Sequence, residues 1–244
     1  MIYVMGDVHG NDRRFHSILE QIDLRPNDTL YLLGDVIDRF PGGIRILRSI
    51  MQMPNVRMLL GNHEYMMLKA LDGNWGESAL QLWYRNGGNV THDYWKHIKK
   101  SARAEIVAYL MTLPLNIDIT VNDIHYKLVH AAAEDLYSAY KWKYGSKREF
   151  AVWMRWRVFD HPPAGYTMIF GHTPTVYYQP DNPLAIWYDT NRIGMDCGSG
   201  FPDTPQEDFP IQGRLACLRL DDMKEFYSEE VMNKDERETN RPEG

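Results

Sequence analysis

The chain has 244 residues, of which 44% are hydrophobic and 25% charged, a composition typical of a globular protein with a sizeable core. Its formal net charge of -6 and the lack of a basic stripe give no electrostatic footprint for nucleic acid. No apolar run approaches the roughly 20 residues of a membrane-spanning helix, so we expect neither a nucleic acid nor a membrane as partner.

The beginning of the sequence and its cysteines indicate the compartment. The start, MIYVMGDVHG, carries no basic n-region before its apolar residues, so no signal peptide is predicted. Cys197 and Cys217 stand in unrelated contexts and are interpreted as reduced, buried thiols of a cytoplasmic protein. We expect a single domain over 1–228, followed by a charged, frayed tail over 229–244.

The first third of the chain alternates strand and helix patterns. Short apolar runs predict buried strands at 2–5, 29–33 and 56–60. The segments between these runs have apolar residues at helical spacing. This order is typical of βαβ units and predicts an α/β fold with parallel strands.

The rest of the chain is less regular. Residues 64–113 have a helical pattern broken by Gly and Asn, and two alternating runs on either side of Val121-Asn122-Asp123 predict a hairpin. An aromatic-rich stretch at 137–150 is either a substrate lip or a helix that buries its rings. Further strands are predicted at 167–170, 192–196, 214–220 and 224–228.

Polar side chains follow five of these strands at the point where each strand ends. The segments are GDVHG at 6–10, GDVIDR at 34–39, GNHE at 61–64, VH at 129–130 and GH at 171–172. Any one of them alone is typical of an ordinary capped turn. Because loops beyond the carboxyl ends of strands form the ligand crevice of an open α/β sheet, five together predict one shared site.

The residue types in these segments predict a metal site. Carboxylate, imidazole and amide groups without thiolate suit Mn²⁺, Fe or Zn²⁺. Two adjacent divalent ions require a bridging carboxylate, and such pairs suit phosphoester hydrolysis because they offset phosphate charge and acidify water.

These motifs resemble the signature of the phosphoprotein phosphatase (PPP) family of calcineurin-like metallophosphoesterases. The resemblance runs from residue 1 to about residue 220. The segments GNHEYMM, RNGG, WMRW and FGHTP are most similar to its bacterial and phage branch. The resemblance implies a β-sandwich of mixed sheets flanked by helices (α/β/β/α), which refines the expectation of a parallel sheet.

The resemblance also implies roles for individual residues. Two divalent ions, Mn²⁺ or alternatively Fe or Zn, are expected on six ligands, with Asp35 bridging them: Asp7, His9, Asp35, Asn62, His130 and His172. His63, oriented by Asp38, is expected to be the general acid. Substrate phosphate is expected to contact Arg39, Arg155 and Asn62.

Two positions depart from the family pattern. Phe40 replaces the usual glycine after Asp38-Arg39, so the turn behind Arg39 must be built differently. Ala131-Ala132 follows His130, so a supporting acid is either absent or supplied by Glu134 or Asp135. A proline-rich loop at 199–213 is hypothesised to gate substrate.

The expected function is that of a serine/threonine protein phosphatase, in which metal-activated hydroxide attacks phosphorus in line. Its substrate would be a phosphoprotein or phosphopeptide, or a small phosphoester. A hydrolase of dinucleoside polyphosphates, of the diadenosine tetraphosphate type, or of other nucleotides has the same fold and metals and stays open. Asp38-Arg39 argues against the symmetrical diadenosine tetraphosphatase branch, which typically lacks this acid. A non-catalytic binding scaffold is the third alternative.

Overall fold

The structure is a computed structural model that describes residues 1–160, 164–203 and 211–228. Its strands are β1 (Ile2–Met5), β2 (Thr29–Leu32), β3 (Val56–Met58), β4 (Asn116–Val121), β5 (Ile124–Val129), β6 (Thr167–Phe170), β7 (Trp187–Asp189), β8 (Arg192–Gly194), β9 (Ala216–Arg219) and β10 (Lys224–Tyr227). Its α-helices are α1 (Asp12–Ile22), α2 (Gly43–Ile50), α3 (Asn62–Leu71), α4 (Gly76–Arg85), α5 (Asn89–Trp95), α6 (Lys100–Thr112) and α7 (Lys147–Trp153). Short 3₁₀ helices lie at Glu134–Tyr140 and Thr175–Tyr177.

The strands form two mixed sheets of five strands each. One sheet has the order β10-β9-β1-β2-β3, in which β1, β2 and β3 pair in parallel and β9 joins β1 antiparallel. The other has the order β4-β5-β6-β8-β7, in which β5, β6 and β8 are parallel and the edges antiparallel. The predicted parallel strands of the first third are confirmed, as is the mixed α/β/β/α sandwich that the resemblance implied.

Alternation along the strands explains the layered packing. In β1, Val4 packs in the apolar cluster shared by the two sheets, whereas Tyr3 and Met5 pack in the cluster that includes α1 and α2. In β6, Ile169 joins the shared cluster, whereas Met168 packs with the side chains of the α7 layer. Because successive side chains of a strand point to opposite faces, each sheet buries one face against the other sheet and one against helices.

Most predicted elements are found within a residue or two of their expected bounds. The hairpin turns at Asn122-Asp123, both with positive φ, as the sequence predicted. The prediction missed β7, which has only three residues. In the aromatic stretch at 137–150, Phe150 is buried and partly buried Tyr140 stacks on it with ring centroids 5.1 Å apart, whereas Trp142 is 81% exposed.

Two further expectations concern the ends and the surroundings of the fold. The predicted tail at 229–244 lies outside the described residues. Within the ranges that are described, none of the helices is long and apolar enough to cross a membrane.

Candidate metal centre and substrate cleft

The strand ends of both sheets bring the predicted ligands together. Asp7 and His9 follow β1, Asp35 follows β2, Asn62 opens α3 after β3, and the second sheet supplies the residues after β5 and β6, which are His130 and His172. None of the six is more than 5% exposed. Polar side chains so deeply buried require partners, and here they face one another.

The spacing of four donor atoms fits one divalent ion. Asn62 Oδ1 lies 2.8 Å from His130 Nε2 and 2.7 Å from His172 Nδ1. Asp35 Oδ1 lies 3.5 Å from His130 Nε2. Ligand atoms at about 2.0–2.2 Å from an ion lie about 3.0–3.5 Å from one another. The two distances from Asn62 are those of hydrogen bonds and lie just below that range, and the distance from Asp35 lies at its upper end.

A second group of donor atoms surrounds the other carboxylate oxygen of Asp35. Asp35 Oδ2 is 3.8 Å from His9 Nε2 and 3.8 Å from His63 Nε2. Asp7 lies outside this group and accepts the backbone N–H of His172 at 3.0 and 3.2 Å. Asp35 therefore faces both groups, as a bridging ligand must.

The directions of the pKa shifts of the buried histidines and of Asp7 also suit the binding of metal cations. Burial is the main cause that lowers the pKa values of His9, His130 and His172, so their imidazoles are neutral, the form that binds metals. Burial, followed by the charges of Asp196 and Asp35, raises the pKa of Asp7 well above its usual value. Divalent ions would offset this repulsion between buried carboxylates, so the donor set suits two of them.

The second ring nitrogen of His63, Nδ1, is hydrogen-bonded to Asp38. His63 Nδ1 lies 2.7 Å from Asp38 Oδ2, and the two residues are 1% and 0% exposed. Burial by itself lowers the pKa of His63, but the charge of Asp35 and the hydrogen bond to Asp38 outweigh it and raise that pKa. An imidazole held in this way keeps its proton to a higher pH than a free imidazole and can donate a proton from Nε2.

Glu64 braces the loop that carries the bridging carboxylate. Its carboxylate accepts the backbone N–H groups of Asp35, Val36, Ile37 and Gly61 at 2.8–3.2 Å. The bond from Gly61 also caps α3. Glu64 therefore supports the site from behind and does not face the cleft.

Left-handed backbone conformations are concentrated at this site. Ten described residues other than glycine have a positive φ, and five of them are the site residues His9, Asp35, Asp38, Arg39 and His172. Such conformations cost of order 1–3 kcal/mol each and persist only where the surroundings enforce them. The fold therefore accepts strain to aim these side chains.

A cleft of about 720 Å³ opens beside the buried groups. Its walls include Arg39, Arg155 and His172, together with a third arginine, Arg85, at the end of α4. Arg155 is oriented by donating to His172 O at 3.2 Å and Thr173 Oγ1 at 3.3 Å. Three arginines thus line the cleft against one carboxylate, Asp196, on a chain whose net charge is negative, and this local positive charge suits an anionic substrate.

The loop that was hypothesised to gate substrate contributes to the cleft through its first part. Phe201 and Pro202 line the cleft. Buried Arg14 holds this part by donating to Ser199 O and Phe201 O and by pairing with Asp203 at 2.9 Å. Residues 204–210 lie outside the described part of the chain.

The two departures from the family pattern are accommodated locally. Phe40 N donates to His9 O at 3.1 Å, which ties the turn behind Arg39 to the end of β1. Asp135, one of the two acids considered for a supporting role, is exposed and accepts a hydrogen bond from the hydroxyl of Tyr166. The buried carboxylate beside Asp7 belongs to Asp196, whose pKa burial raises to about 6.

Sequence reasoning missed several residues that contact the site. Asp196 could have been found as another carboxylate at a strand end, after β8. Trp83 and Thr91, which contact Asp38, belong to helices far along the chain, and their sequence context carries no signal of this contact.

Comparison with known proteins assigns the chain to a family. The profile of the calcineurin-like phosphoesterase family matches residues 1–195, and the chain belongs to this family of metal-dependent phosphoester hydrolases. Serine/threonine-protein phosphatase 2 of Salmonella typhimurium is 31% identical over 213 residues, 81% of this chain and 87% of that protein. Its Escherichia coli namesake is 34% identical over 134 residues, which are 53% of this chain and 57% of that protein.

Other relatives share a smaller part of the chain or the fold alone. The symmetrical bis(5'-nucleosyl)-tetraphosphatase of Salmonella paratyphi B is 40% identical over 73 residues, 29% of this chain and 26% of that protein. A metallophosphoesterase from Sphaerobacter thermophilus superposes with a TM-score of 0.54 at 17% identity, covering 99% of this chain and 95% of that one. A serine/threonine phosphatase of Saccharomyces cerevisiae superposes with a TM-score of 0.51 at 13% identity, covering 96% and 81%.

Proposed function

We propose that this phosphoester hydrolase is a serine/threonine protein phosphatase. The observation that carries the proposal is the buried pair of His63 and Asp38, 2.7 Å apart. The alkoxide of serine or threonine is a poor leaving group and requires a proton, which a charged imidazole supplies. A polyphosphate leaves as a stable anion and gains little from such an acid.

The metal ligands are proposed to divide as the family resemblance implies, with Asp7 added to the group around His9 and His63 left out of it. Asp7 and His9 would hold one ion, Asn62, His130 and His172 the other, and Asp35 both. Bound divalent ions supply positive charge against the phosphate and acidify water near neutral pH. We propose Mn²⁺ as the native ion, with Fe or Zn as alternatives that the oxygen and nitrogen donors also suit.

The chain's own residues would orient the phosphate and assist the leaving oxygen. Arg39 and Arg155 line the cleft, and their planar guanidinium groups suit phosphate oxygens. Asn62 would contribute its amide to the same phosphate. His63 Nε2 faces the site and would donate the proton, while Asp38 keeps Nδ1 protonated and the ring aimed.

The similarity to named relatives supports a protein substrate over a dinucleotide. The likeness to serine/threonine-protein phosphatase 2 extends over most of both chains, whereas that to the tetraphosphatase covers 73 residues. Hydrolysis of dinucleoside polyphosphates is therefore the second candidate. We also propose a cytoplasmic location and a single domain over 1–228.

A side-by-side assay tests this proposal. The Mn²⁺-loaded protein should release phosphate from a phosphoserine peptide faster than it cleaves diadenosine tetraphosphate, and a chelator should abolish both activities. Mg²⁺ and Zn²⁺ are compared in the same format. His63→Asn should retain bound metal and lose turnover of the peptide by about 10²–10⁴-fold. His16→Asn, an exposed histidine on α1, is the matched control. Faster cleavage of the dinucleotide, or metal loss in His63→Asn, would contradict the proposal.

A further inference from the structure

We propose that Trp83 is a positioning residue of the catalytic acid: its indole N–H fixes the carboxylate of Asp38 and, through it, the ring of His63. The inference rests on the acid role proposed above for His63. Trp83 does not touch the cleft and would act only through Asp38.

The hydrogen bonds of the three side chains share one atom. Trp83 Nε1 donates to Asp38 Oδ2 at 2.8 Å, and His63 Nδ1 lies 2.7 Å from the same oxygen. Trp83 and Asp38 are 0% exposed and His63 is 1% exposed, so no bulk water can replace either bond. The indole N–H can only donate, so it favours the ionised carboxylate that His63 requires.

The backbone that carries Asp38 is held by the same helical segment. Asp38 N donates to Thr91 Oγ1 at 3.0 Å, and Arg39 N donates to Gly87 O at 3.1 Å. Asp38 and Arg39 have φ values of 71° and 67°, conformations that side chains other than glycine rarely adopt. Residues 83–91, from the end of α4 to the start of α5, therefore hold both the backbone and the side chain of Asp38.

The glycines of the RNGG motif, which the proposed catalytic roles leave unexplained, fit this arrangement. A Cβ at Gly88 would lie 2.2 Å from Trp83 Cδ1 and 2.3 Å from its Nε1. Gly87 has a φ of +92°, and a Cβ there would lie 2.9 Å from Arg39 Cγ. The two glycines thus let the backbone between α4 and α5 lie in contact with the indole of Trp83 and with Arg39. This close packing brings both helices against Asp38 and His63.

The geometry predicts a specific kinetic signature. If Trp83 orients His63, loss of the indole N–H should lower kcat/KM more for substrates with more basic leaving groups, because those leaving groups depend more on a proton from His63. Trp83→Phe removes the N–H and keeps an aromatic ring. The variant should lose about tenfold or more of kcat/KM with a phosphoserine peptide or phenyl phosphate, and little with p-nitrophenyl phosphate, whose leaving group needs no proton.

The experiment measures kcat/KM over a series of aryl phosphates and plots its logarithm against the pKa of the leaving group; the slope of this plot is compared between variants. Bound metal is determined for each variant. Trp95→Phe, a similarly buried tryptophan in α5 that does not contact Asp38, is the control and should follow the wild-type slope. Adding Trp83→Phe to Asp38→Asn should cost little more than Asp38→Asn alone, because both act through one carboxylate.

A shape-conserving variant covers the case in which Trp83→Phe fails to fold. Replacement of Trp83 by β-(3-benzothienyl)alanine keeps the bicyclic ring and removes only the N–H donor. A wild-type slope in either folded variant, or an equal loss with every leaving group, would overturn the positioning role. If His63→Asn leaves the slope unchanged, the acid role itself fails, and this inference with it. A steeper slope in His63→Asn alone overturns only the inference about Trp83.

Discussion

Phe150→Ala tests whether the aromatic stretch at 137–150 is a structural core or a substrate lip. Phe150 is 0% exposed and is surrounded by Tyr137, Tyr140 and Tyr144, at centroid distances of 5.9, 5.1 and 5.5 Å. Loss of a buried phenyl ring costs about 3–5 kcal/mol of the free energy of unfolding. In a chain of this length each kcal/mol shifts Tm by about 2–4 °C, so we expect a fall of roughly 6–20 °C.

The assay is thermal and urea unfolding of the metal-loaded protein, combined with kcat and KM at a temperature where the variant is folded. Phe159→Ala is the matched control, since Phe159 is 74% exposed and its loss should change stability by less than about 0.5 kcal/mol. The reasoning is refuted if Phe150→Ala is no less stable than Phe159→Ala, or if its main effect is a raised KM in a fully stable protein.

Three further predictions concern the site and the thiols. Asp38→Asn should move the alkaline fall of kcat/KM to lower pH, because Asp38 helps to raise the pKa of His63 against burial and the proposed acid acts in its protonated form; a pH profile checks this. Arg155→Ala should raise KM for a phosphopeptide about tenfold or more, and Arg155→Lys should restore it only in part, as steady-state kinetics would show. Cys197 and Cys217, buried with raised pKa values, should not react with a thiol reagent at pH 8 until urea unfolds the chain.

Features encoded by local pattern could be predicted from the sequence, whereas features set by tertiary packing could not. The hairpin at Asn122-Asp123 follows from alternation and turn chemistry within a few residues. The pairing of β1 with β9 joins segments more than 200 residues apart, and periodicity carries no information about strand partners. The two-sheet arrangement came from family resemblance for that reason.

The candidate site divides in the same way. Asp7, Asp35 and His130 stand directly after apolar runs, so strand ends alone indicated their convergence. Trp83 lies 45 residues from Asp38 within an ordinary helical pattern, and only the packing of α4 and α5 brings its N–H to that carboxylate. A single buried hydrogen bond of this kind leaves no periodic trace in a sequence.

The origin of the ligands in two different sheets has a consequence for how the protein would respond to distant mutations. His130 and His172 stand on one sheet, and Asp7 and Asp35 on the other, separated by an apolar layer that includes Ile169. Metal–ligand distances at a well-formed site fall within about 0.2 Å of their usual values. With ions bound as proposed, metal affinity would depend on the position of one sheet relative to the other. Substitutions in the apolar layer between the sheets would therefore weaken metal binding before they unfold either sheet. Metal affinity would then report on core packing far from the ligands themselves.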